Sequence, residues 1–213
     1  MLVLGAKGHA KEILQVFVHN DQLHDLAFFD DVTTDLPEKL YEAFKIIRHI
    51  DEVRIALPPN FQYCLGTGNP LVRYNLNKKF KSVGGQLTSV ISKTAKIGSY
   101  NVILGTGLNI MPAVHISNDV SIGNGTLLNY GCSIHHDCSI GEFCELSPNA
   151  LLLGDVKLGN YCSIGAGAII LPKIRIGSNV VVGAGAVVTK DIEDNTLVLG
   201  VPARKVKNLS SFF

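Results

Sequence analysis

The sequence predicts a mixed fold, in which an N-terminal α/β half-Rossmann unit (βαβαβ) is followed by a C-terminal left-handed parallel β-helix. Two observations predict this fold. An aliphatic residue occupies every sixth position from residue 110 to residue 188, and such a fixed short period is typical of a solenoid. Residues 1–85 lack that period and instead alternate short apolar runs with helical spacing. We therefore expect two domains, residues 1–85 and residues 86–213.

The six-residue period has a direct structural meaning. A small or compact residue lies four places after most of the aliphatic residues, and each unit ends in a polar or glycine-rich turn such as IGNG or LGNY. This pattern describes flat strands that turn a corner every six residues, with three units to a triangular coil. An antiparallel sandwich would instead need strands spaced by roughly 8–12 residues. Ile91, Ile97 and Ile103 begin the period in another phase, which predicts one inserted residue between Ile103 and Ile110.

Four of the five cysteines follow the same period. Cys132, Cys138, Cys144 and Cys162 are separated by multiples of six and occupy the small position of the repeat. A zinc site usually contains a close pair such as C-x2-C, and no such pair occurs. We interpret these cysteines as interior packing residues and expect no metal.

The pattern of the first 85 residues predicts a strand, a glycine turn and a helix, followed by further strands and helices. Apolar residues at helical spacing predict the first helix, and Asn69 with Pro70 predicts the start of another, as an N-cap and first-turn pair. The other expected elements are strands at LVLG, LAFF and QYCLG and a helix over residues 37–44.

The glycine turn is a candidate nucleotide site. Gly5 and Gly8 precede the first helix, and a helix N-terminus of this kind suits a phosphate or diphosphate. Asp30 and Asp31 follow the second strand, about 20 residues further on, where an acidic residue commonly holds a ribose. GAKGHA lacks the third glycine of the dinucleotide motif, so a structural turn followed by solvated acids is the alternative interpretation.

Two histidines interrupt the solenoid pattern in the stretch NYGCSIHHDCSIGEF. His136 lies two residues after the inward Ile134, which places it on an outer corner. An imidazole there is suited to act as a general base near neutral pH, with the carboxylate of Asp137 fixing its tautomer. The alternative is that His135 and His136 are solvated corner residues without a chemical role.

Composition excludes some partners. The formal net charge is +1, there is no basic block, and no apolar run approaches the roughly 18 residues that span a bilayer. We expect no nucleic-acid binding and no membrane insertion. A cytoplasmic enzyme is the default expectation.

The order of five motifs resembles one family of enzymes. These motifs are GAKGHAKE, FFDD, LGTGNPLVR, NYGCSIHHDCSIGEF and GAGAVVTKDIEDNTLVLGVPARKV. Together they are similar to the hexapeptide-repeat acyltransferases that include the sialic-acid O-acetyltransferases and the nucleotide 4-amino-sugar N-acetyltransferases of bacterial glycan synthesis. The resemblance implies an acetyl-CoA-dependent N-acetyltransferase that acts on the amino group of a nucleotide-linked amino-deoxy sugar, and the expected sugar is a 4-amino-4,6-dideoxy sugar.

The resemblance also implies roles for individual residues. The catalytic positions are the base His136, its orienting partner Asp137, and the neighbouring Asn129. The substrate-binding positions are Gly8, His9, Asp30, Asp31, Gly66 and Asn69. The positions for acetyl-CoA are Glu145, Gly154, Ala166, Ala184, Lys190, Pro202 and Arg204. Glu145 departs from the family, since relatives often have a histidine there, and its effect on acyl handling stays open.

Relatives of this kind are trimers, so the resemblance further implies a homotrimer with active sites between subunits. The nucleotide stays open among UDP, GDP and dTDP. O-acetylation of a sialic-acid-type sugar is the alternative activity. A non-catalytic sugar-nucleotide-binding solenoid or a zinc carbonic anhydrase would be a different class, and His115, His135 and His136 lack convincing spacing for the latter.

Overall fold

A computed structural model describes residues 1–211, so the last two residues of the expected second domain (86–213) lie outside the described part. The mixed α/β and β-helical fold class is confirmed. The first part of the chain contains β1 (Leu2–Leu4), α1 (Gly8–His19), β2 (Ala27–Phe29), β3 (Lys39–Leu40), β4 (Phe44–Ile47), α2 (Ile50–Ala56), β5 (Gln62–Leu65), α3 (Pro70–Ser82) and β6 (Gln86–Leu87).

These strands form one sheet in the order β3-β4-β2-β1-β5-β6, and only the β3–β4 pair is antiparallel. Helix α1 buries Ala10, Ile13, Leu14 and Phe17, because their spacing puts them on one side of the helix. At the start of α3, the Asn69 side chain accepts a hydrogen bond from the backbone N–H of Val72 at 3.1 Å. The predicted N-cap is confirmed.

The helix predicted over residues 37–44 is wrong. That segment forms a hairpin in which Leu40 pairs with Phe44. Tyr41 and Glu42 have φ values of 52° and 58°, which belong to a left-handed turn and not to a right-handed helix. The connection to β5 is made instead by α2.

The solenoid has three flat faces. The first face contains β7 (Val90–Ile91), β10 (Asn109–Ile110), β13 (Leu127–Leu128), β16 (Glu145–Leu146), β19 (Ser163–Ile164), β22 (Val181–Val182), β24 (Thr196–Leu199) and β25 (Arg204–Asn208). The second face contains β8 (Lys96–Ile97), β11 (His115–Ile116), β14 (Ser133–Ile134), β17 (Leu151–Leu152), β20 (Ile169–Ile170) and β23 (Val187–Val188). The third face contains β9 (Ile103–Leu104), β12 (Ser121–Ile122), β15 (Ser139–Ile140), β18 (Lys157–Leu158) and β21 (Arg175–Ile176).

The interior is filled as the period predicts. Every aliphatic residue of the six-residue series from Ile110 to Val188 is at most 5% exposed, and burying such a side chain contributes roughly 1.5–3 kcal/mol. All five cysteines are free and buried. The thiols of the four solenoid cysteines donate to backbone carbonyls, as Cys144 does to Gly159 at 3.1 Å, so the packing interpretation is confirmed.

The inserted residue lies elsewhere than expected. Leu104, not Ile103, pairs with the inward Ile122, while Ile103 is 65% exposed. The extra residue therefore lies between Ile97 and Leu104. Because residues 103 and 104 are both aliphatic, the sequence alone did not distinguish the two phases.

We name the three edges of the prism after residues they carry. The asparagine corner joins the first and second faces and comprises residues 129–132 in the middle coil. The histidine corner joins the second and third faces and comprises residues 135–138. The aromatic corner joins the third and first faces and comprises residues 141–144. Each recurs one coil, or 18 residues, further along the chain, as the pairing of Ser133 with Leu151 shows.

The first domain packs on the first face of the solenoid. Helix α1 contributes to one cluster with Met111, Leu127 and Tyr130. Strand β6 still pairs with β5, and the coils begin with β7. Between residues 1 and 211, no helix is long and apolar enough to cross a bilayer.

Candidate functional site

His136 projects from the histidine corner into solvent, as the repeat phase predicts. Its Nδ1 lies 2.7 Å from Oδ2 of Asp137, and the two side chains are 64% and 57% exposed. In the neutral ring, a hydrogen bond from Nδ1–H to the carboxylate leaves Nε2 without a proton. The outer nitrogen is then free to accept a proton from a reacting group.

The position of the imidazole depends on a glycine in the next coil. A Cβ atom on Gly154 would lie 2.6 Å from Cε1 and 2.7 Å from Nε2 of His136. Only a residue without a side chain leaves room for the ring over this turn. The backbone joins the same two coils, since the N–H of Asp155 donates to the carbonyl of His136 at 2.9 Å.

The corner repeats a left-handed backbone conformation in successive coils. Asp119, Asp137 and Asp155 have φ values of 58°, 61° and 60°, and Asp tolerates this region better than most residues. Lys157 fixes the middle turn, because its Nζ donates to the carbonyl of Asp137 at 2.7 Å and lies 3.1 Å from Oδ1 of Asp155.

An open groove of ≈ 610 Å³ runs along the histidine corner. Its lining residues are Asn101, Asp119, His136, Asp137, Gly154, Asp155, Lys157, Pro172 and Lys173. The groove therefore brings together the expected base, its carboxylate partner and one expected coenzyme position.

Asn129 does not join this group within one protomer. It lies at the asparagine corner, separated from His136 by strand β14. Its Oδ1 accepts a hydrogen bond from the N–H of Tyr130 at 2.8 Å. A catalytic site containing both residues would require the asparagine corner of another subunit.

The expected nucleotide site is a second cleft, of ≈ 440 Å³, in the first domain. Five of the six expected substrate residues line it, namely Gly8, His9, Asp30, Asp31 and Gly66. The sixth, Asn69, caps α3 and is not among the lining residues. The cleft lies at the carboxyl ends of β1, β2 and β5, the usual ligand edge of such a sheet.

Close backbone packing shapes this cleft. A Cβ on Gly66 would lie 2.8 Å from the carbonyl oxygen of Leu4, and one on Gly5 would lie 2.9 Å from that of Gly66. Asp30 holds the loop beside it by accepting from the N–H groups of Ala6 at 3.1 Å and Thr33 at 2.9 Å. Asp30 therefore has a structural role at the edge of the cleft.

His9 and Asp31 each have a charged partner that sequence reasoning missed. Nδ1 of His9 lies 3.0 Å from Oε2 of Glu12. Burial lowers the pKa of His9, although the hydrogen bond to Glu12 opposes this shift. Lys79 donates to Asp31 at 2.5 Å and lies 5.1 Å from the ring centroid of Phe29.

Four of the seven expected acetyl-CoA positions lie at two corners of the solenoid. Gly154 and Lys190 lie in the column of His136, whereas Ala166 and Ala184 lie on the asparagine corner, one coil apart. Around Ala166 and Ala184 the surface is bare: a Cβ on Gly167 or Gly185 would meet no atom within 4 Å. Such an open surface has room for an extended ligand. Pro202 and Arg204 flank Ala203, whose N–H donates to the carbonyl of Val187 on the second face at 2.8 Å, and Arg204 begins β25 of the first face.

Glu145 lies on the outer side of the first face, beneath the first domain. Its Oε1 accepts a hydrogen bond from the Ser147 hydroxyl at 2.7 Å. Burial raises the pKa of Glu145, while Ser147 and the charge of Arg73 act in the opposite direction. Within one protomer it is on a different face from the His136 groove.

Arg73 is the largest feature that the sequence analysis missed. It is fully buried on α3, on the same side as Pro70 and Phe80. An arginine at helical spacing between two buried apolar positions was the available signal. Within residues 1–211, no group of three or more His, Cys, Asp or Glu side chains is arranged to hold a metal ion.

Comparisons with known proteins match both parts of the chain. Residues 1–80 match the family model described as the PglD N-terminal domain. Residues 137–172 and 155–190 match the model described as the bacterial transferase hexapeptide (six repeats). A comparison with curated proteins gives no match.

Solved structures resemble the whole chain. A variant of perosamine N-acetyltransferase from Caulobacter crescentus, in complex with CoA and GDP-perosamine, is 28% identical, with a TM-score of 0.87 and coverage of 97% of this chain and 96% of that chain. The acetyltransferase domain of PglB from Neisseria gonorrhoeae is 28% identical, with a TM-score of 0.88 and coverage of 96% and 98%. WeeI from Acinetobacter baumannii is 27% identical, with a TM-score of 0.87 and coverage of 96% and 98%.

These similarities extend over both domains and agree with the corner histidine, the glycine-walled cleft and the six-residue ladder. The chain therefore belongs to the hexapeptide-repeat acyltransferase family that includes the sialic-acid O-acetyltransferases and the nucleotide 4-amino-sugar N-acetyltransferases.

Proposed function

We propose that this protein transfers the acetyl group of acetyl-CoA to the amino group of a nucleotide-linked amino-deoxy sugar, and that the sugar is a 4-amino-4,6-dideoxy sugar. The observation that carries the proposal is the His136–Asp137 pair in an open groove. The similar Caulobacter enzyme is described with CoA and GDP-perosamine, and the Neisseria domain with acetyl coenzyme A.

The chemistry needs few groups from the protein. The thioester supplies an activated acyl carbon, and Nε2 of His136 accepts the proton as the sugar amine attacks that carbon. A C–N bond forms, the C–S bond breaks, and the sulfur leaves as the thiol after protonation. Asp137 holds the ring in the required tautomer and stabilises the imidazolium that forms. Holding both reactants in place supplies much of the remaining acceleration.

Each domain has its own part in this proposal. The first domain, residues 1–85, holds the nucleotide in the cleft walled by Gly8, His9 and Gly66, with Asp30 and Asp31 at its edge. The second, residues 86–213, carries the reacting groups. We assign the pantetheine arm of the coenzyme to Gly154, Ala166 and Ala184, and its adenosine phosphate end to Lys190, Pro202 and Arg204.

We further propose a homotrimer with each active site between two subunits. Two observations support it. Gly154 and Lys190 lie at the histidine corner and Ala166 and Ala184 at the asparagine corner, so one protomer supplies only two of these four coenzyme positions to any single groove. The outer side of the second face, between those corners, carries the half-buried apolar residues Leu151, Ile169 and Val187. Closed cyclic assembly suits a prism of this shape.

Mixed trimers test this arrangement. Two inactive variants, His136→Ala and Asn129→Ala, are unfolded together, refolded and assayed. If the two residues belong to a shared site, some interfaces combine an intact His136 with an intact Asn129, and activity returns. Mixtures that stay inactive, or a fully active monomer by light scattering, would contradict the proposal.

The acceptor is tested by two steps. Thermal-shift measurements with UDP, GDP and dTDP identify the nucleotide, because only a ligand that binds the folded state raises the midpoint. Thiol release from acetyl-CoA is then measured with the matching 4-amino sugar and, separately, with sialic acid. Turnover of sialic acid alone would favour O-acetylation instead. The cytoplasmic location remains a prediction, which cell fractionation tests.

A further inference from the structure

Among residues 1–211, one cationic side chain is fully buried, and it lies between the nucleotide cleft and the solenoid. Arg73 has 0% exposure and is the largest of the fully buried side chains. Burial lowers its pKa to about 9, so the guanidinium stays charged at neutral pH. A buried charge is costly unless its donors are satisfied, and the partners of Arg73 are therefore informative.

Those partners belong to both domains. Toward the first domain, Nη1 donates to the carbonyls of Leu65 at 3.2 Å and Thr67 at 2.7 Å. Toward the solenoid, Nε donates to the carbonyl of Gly125 at 2.8 Å and Nη2 to Oδ1 of Asn109 at 2.7 Å. One rigid, planar group thus joins two pieces of backbone that are distant in sequence.

The first-domain partners belong to the nucleotide cleft. Thr67 lies in the Gly66–Thr67–Gly68 loop, which lines the cleft. Val72, the residue before Arg73 on α3, also lines the cleft. Helix α3 therefore presents one side to the cleft and the adjacent side to the solenoid. Leu65 ends β5, the strand that leads into this loop.

The solenoid partners are equally well fixed. Gly125 has a φ of +67°, and the ring of Phe143 covers the place where a Cβ would be. The next residue of α3, Tyr74, packs edge-to-face on Phe143 at 5.4 Å and on Tyr161 at 5.6 Å. Gly125, Phe143 and Tyr161 lie on the aromatic corner of three successive coils, so α3 is attached along the prism and not at a single point.

We propose that Arg73 is a positioning residue, which fixes the nucleotide cleft on the solenoid and so sets the orientation in which the acceptor amine reaches the base. This inference rests on the proposed function. Arg73 touches none of the reacting groups in the histidine-corner groove, and it acts through the Gly66–Thr67–Gly68 loop. A misplacement of about 1 Å in such a system can cost on the order of 10²-fold in rate.

The test uses full-length protein and three variants. Arg73→Met removes the charge and all four hydrogen bonds while keeping an unbranched side chain. Arg73→Lys keeps the charge but replaces the planar fork by a single ammonium. Lys78→Met is the matched control, because Lys78 is exposed on the same helix. Rates are measured with acetyl-CoA and the accepted amino sugar well below the Tm of each variant, and are expressed per folded molecule.

We expect Arg73→Met to lower kcat by about 10²-fold. The Kd values for CoA and for the free nucleoside diphosphate should stay close to those of the wild type. Arg73→Lys should recover part of kcat, and Lys78→Met should match the wild type. If Arg73→Met does not fold, Asn109→Ala removes only the solenoid partner of Nη2 and should show the same split between kcat and Kd.

Two results would overturn the inference. A variant with a lower Tm but wild-type kcat per folded molecule would show that Arg73 is only structural. Loss of nucleoside diphosphate binding with unchanged kcat at saturation would show that it only builds the cleft. Failure of the proposed function is seen separately, as wild-type protein that transfers no acetyl group.

Discussion

Replacing Gly154 by alanine should inactivate the enzyme with little effect on its stability. The added Cβ would lie 2.6 Å from Cε1 of His136, whereas carbon atoms pack at about 3.5–4.0 Å. One of the two groups must move by about 1 Å. The imidazole is 64% exposed, so rotation of the ring away from the groove is the easier response.

The expected loss of kcat follows from the role of the imidazole as a general base. A positioned general base contributes about 10²–10⁴-fold, and a ring turned out of the groove loses most of that. Gly154 has no left-handed φ, so alanine is compatible with the backbone, and a substitution of this kind usually changes stability by about 0.5 kcal/mol or less. We expect kcat to fall at least about 100-fold, with Tm changed by no more than about 2 °C.

The assay is thiol release from acetyl-CoA under saturating acceptor, with Tm measured in parallel. Gly154 is also an expected coenzyme contact, so the double variant Gly154→Ala/His136→Ala is needed. If the glycine acts through the imidazole, the double variant is no slower than His136→Ala alone. A Gly154→Ala enzyme within about twofold of wild-type kcat, or a double variant much slower than His136→Ala, would refute the reasoning.

Three further predictions concern other parts of the molecule. Cys162→Ala should keep full activity and lose about 1–2 kcal/mol of stability in urea denaturation, because alanine already fills the equivalent small positions. A loss of kcat in protein that is shown to be folded would contradict the packing role. Asn69→Ala should cost about 1 kcal/mol by removing the α3 cap, and Asn69→Asp should not; equal denaturation midpoints for the two variants would count against a capping role. Glu145→Gln should raise Tm at pH 7.5, since burial disfavours the ionised carboxylate. This gain in Tm should disappear as the pH falls below 4.5, the ordinary pKa of a glutamate in the unfolded chain. A gain in Tm that persists at pH 3 would indicate an effect of packing and not of charge.

The sequence predicted the solenoid well because its fold depends on a local period. Each six-residue unit must bury one aliphatic and one small side chain, and both are visible without knowing any distant contact. Two predictions, the place of the inserted residue and the helix over residues 37–44, were wrong because two different structures are compatible with the same sequence pattern. Ile103 and Leu104 both satisfy the aliphatic position, and Leu36, Leu40 and Phe44 recur at helical spacing although the chain turns between them.

The site was only partly predictable for a different reason. His136 and Asp137 are neighbours in sequence, so their contact followed from the repeat phase. Arg73 joins residues 36 and 52 positions away, and nothing in a single sequence identifies such partners. A charged residue is almost never fully buried unless it is paired, so the helical spacing of Arg73 was by itself a weak signal that this side chain is buried.

The repeat itself explains how a solvent-exposed histidine can serve as a precise base. The carbonyl of His136 accepts from the coil above, through Asp155, and the N–H of Asp137 donates to the carbonyl of Asn118 in the coil below. Gly154 supplies the space for the ring, and Lys157 holds the left-handed turn through the carbonyl of Asp137. The backbone bonds are those of other stacked corners, as where the N–H of Tyr161 donates to the carbonyl of Glu142 at 2.9 Å. A base on a stacked corner is held on both sides by neighbouring coils, so its geometry should tolerate changes in the first domain but not in the adjacent turns.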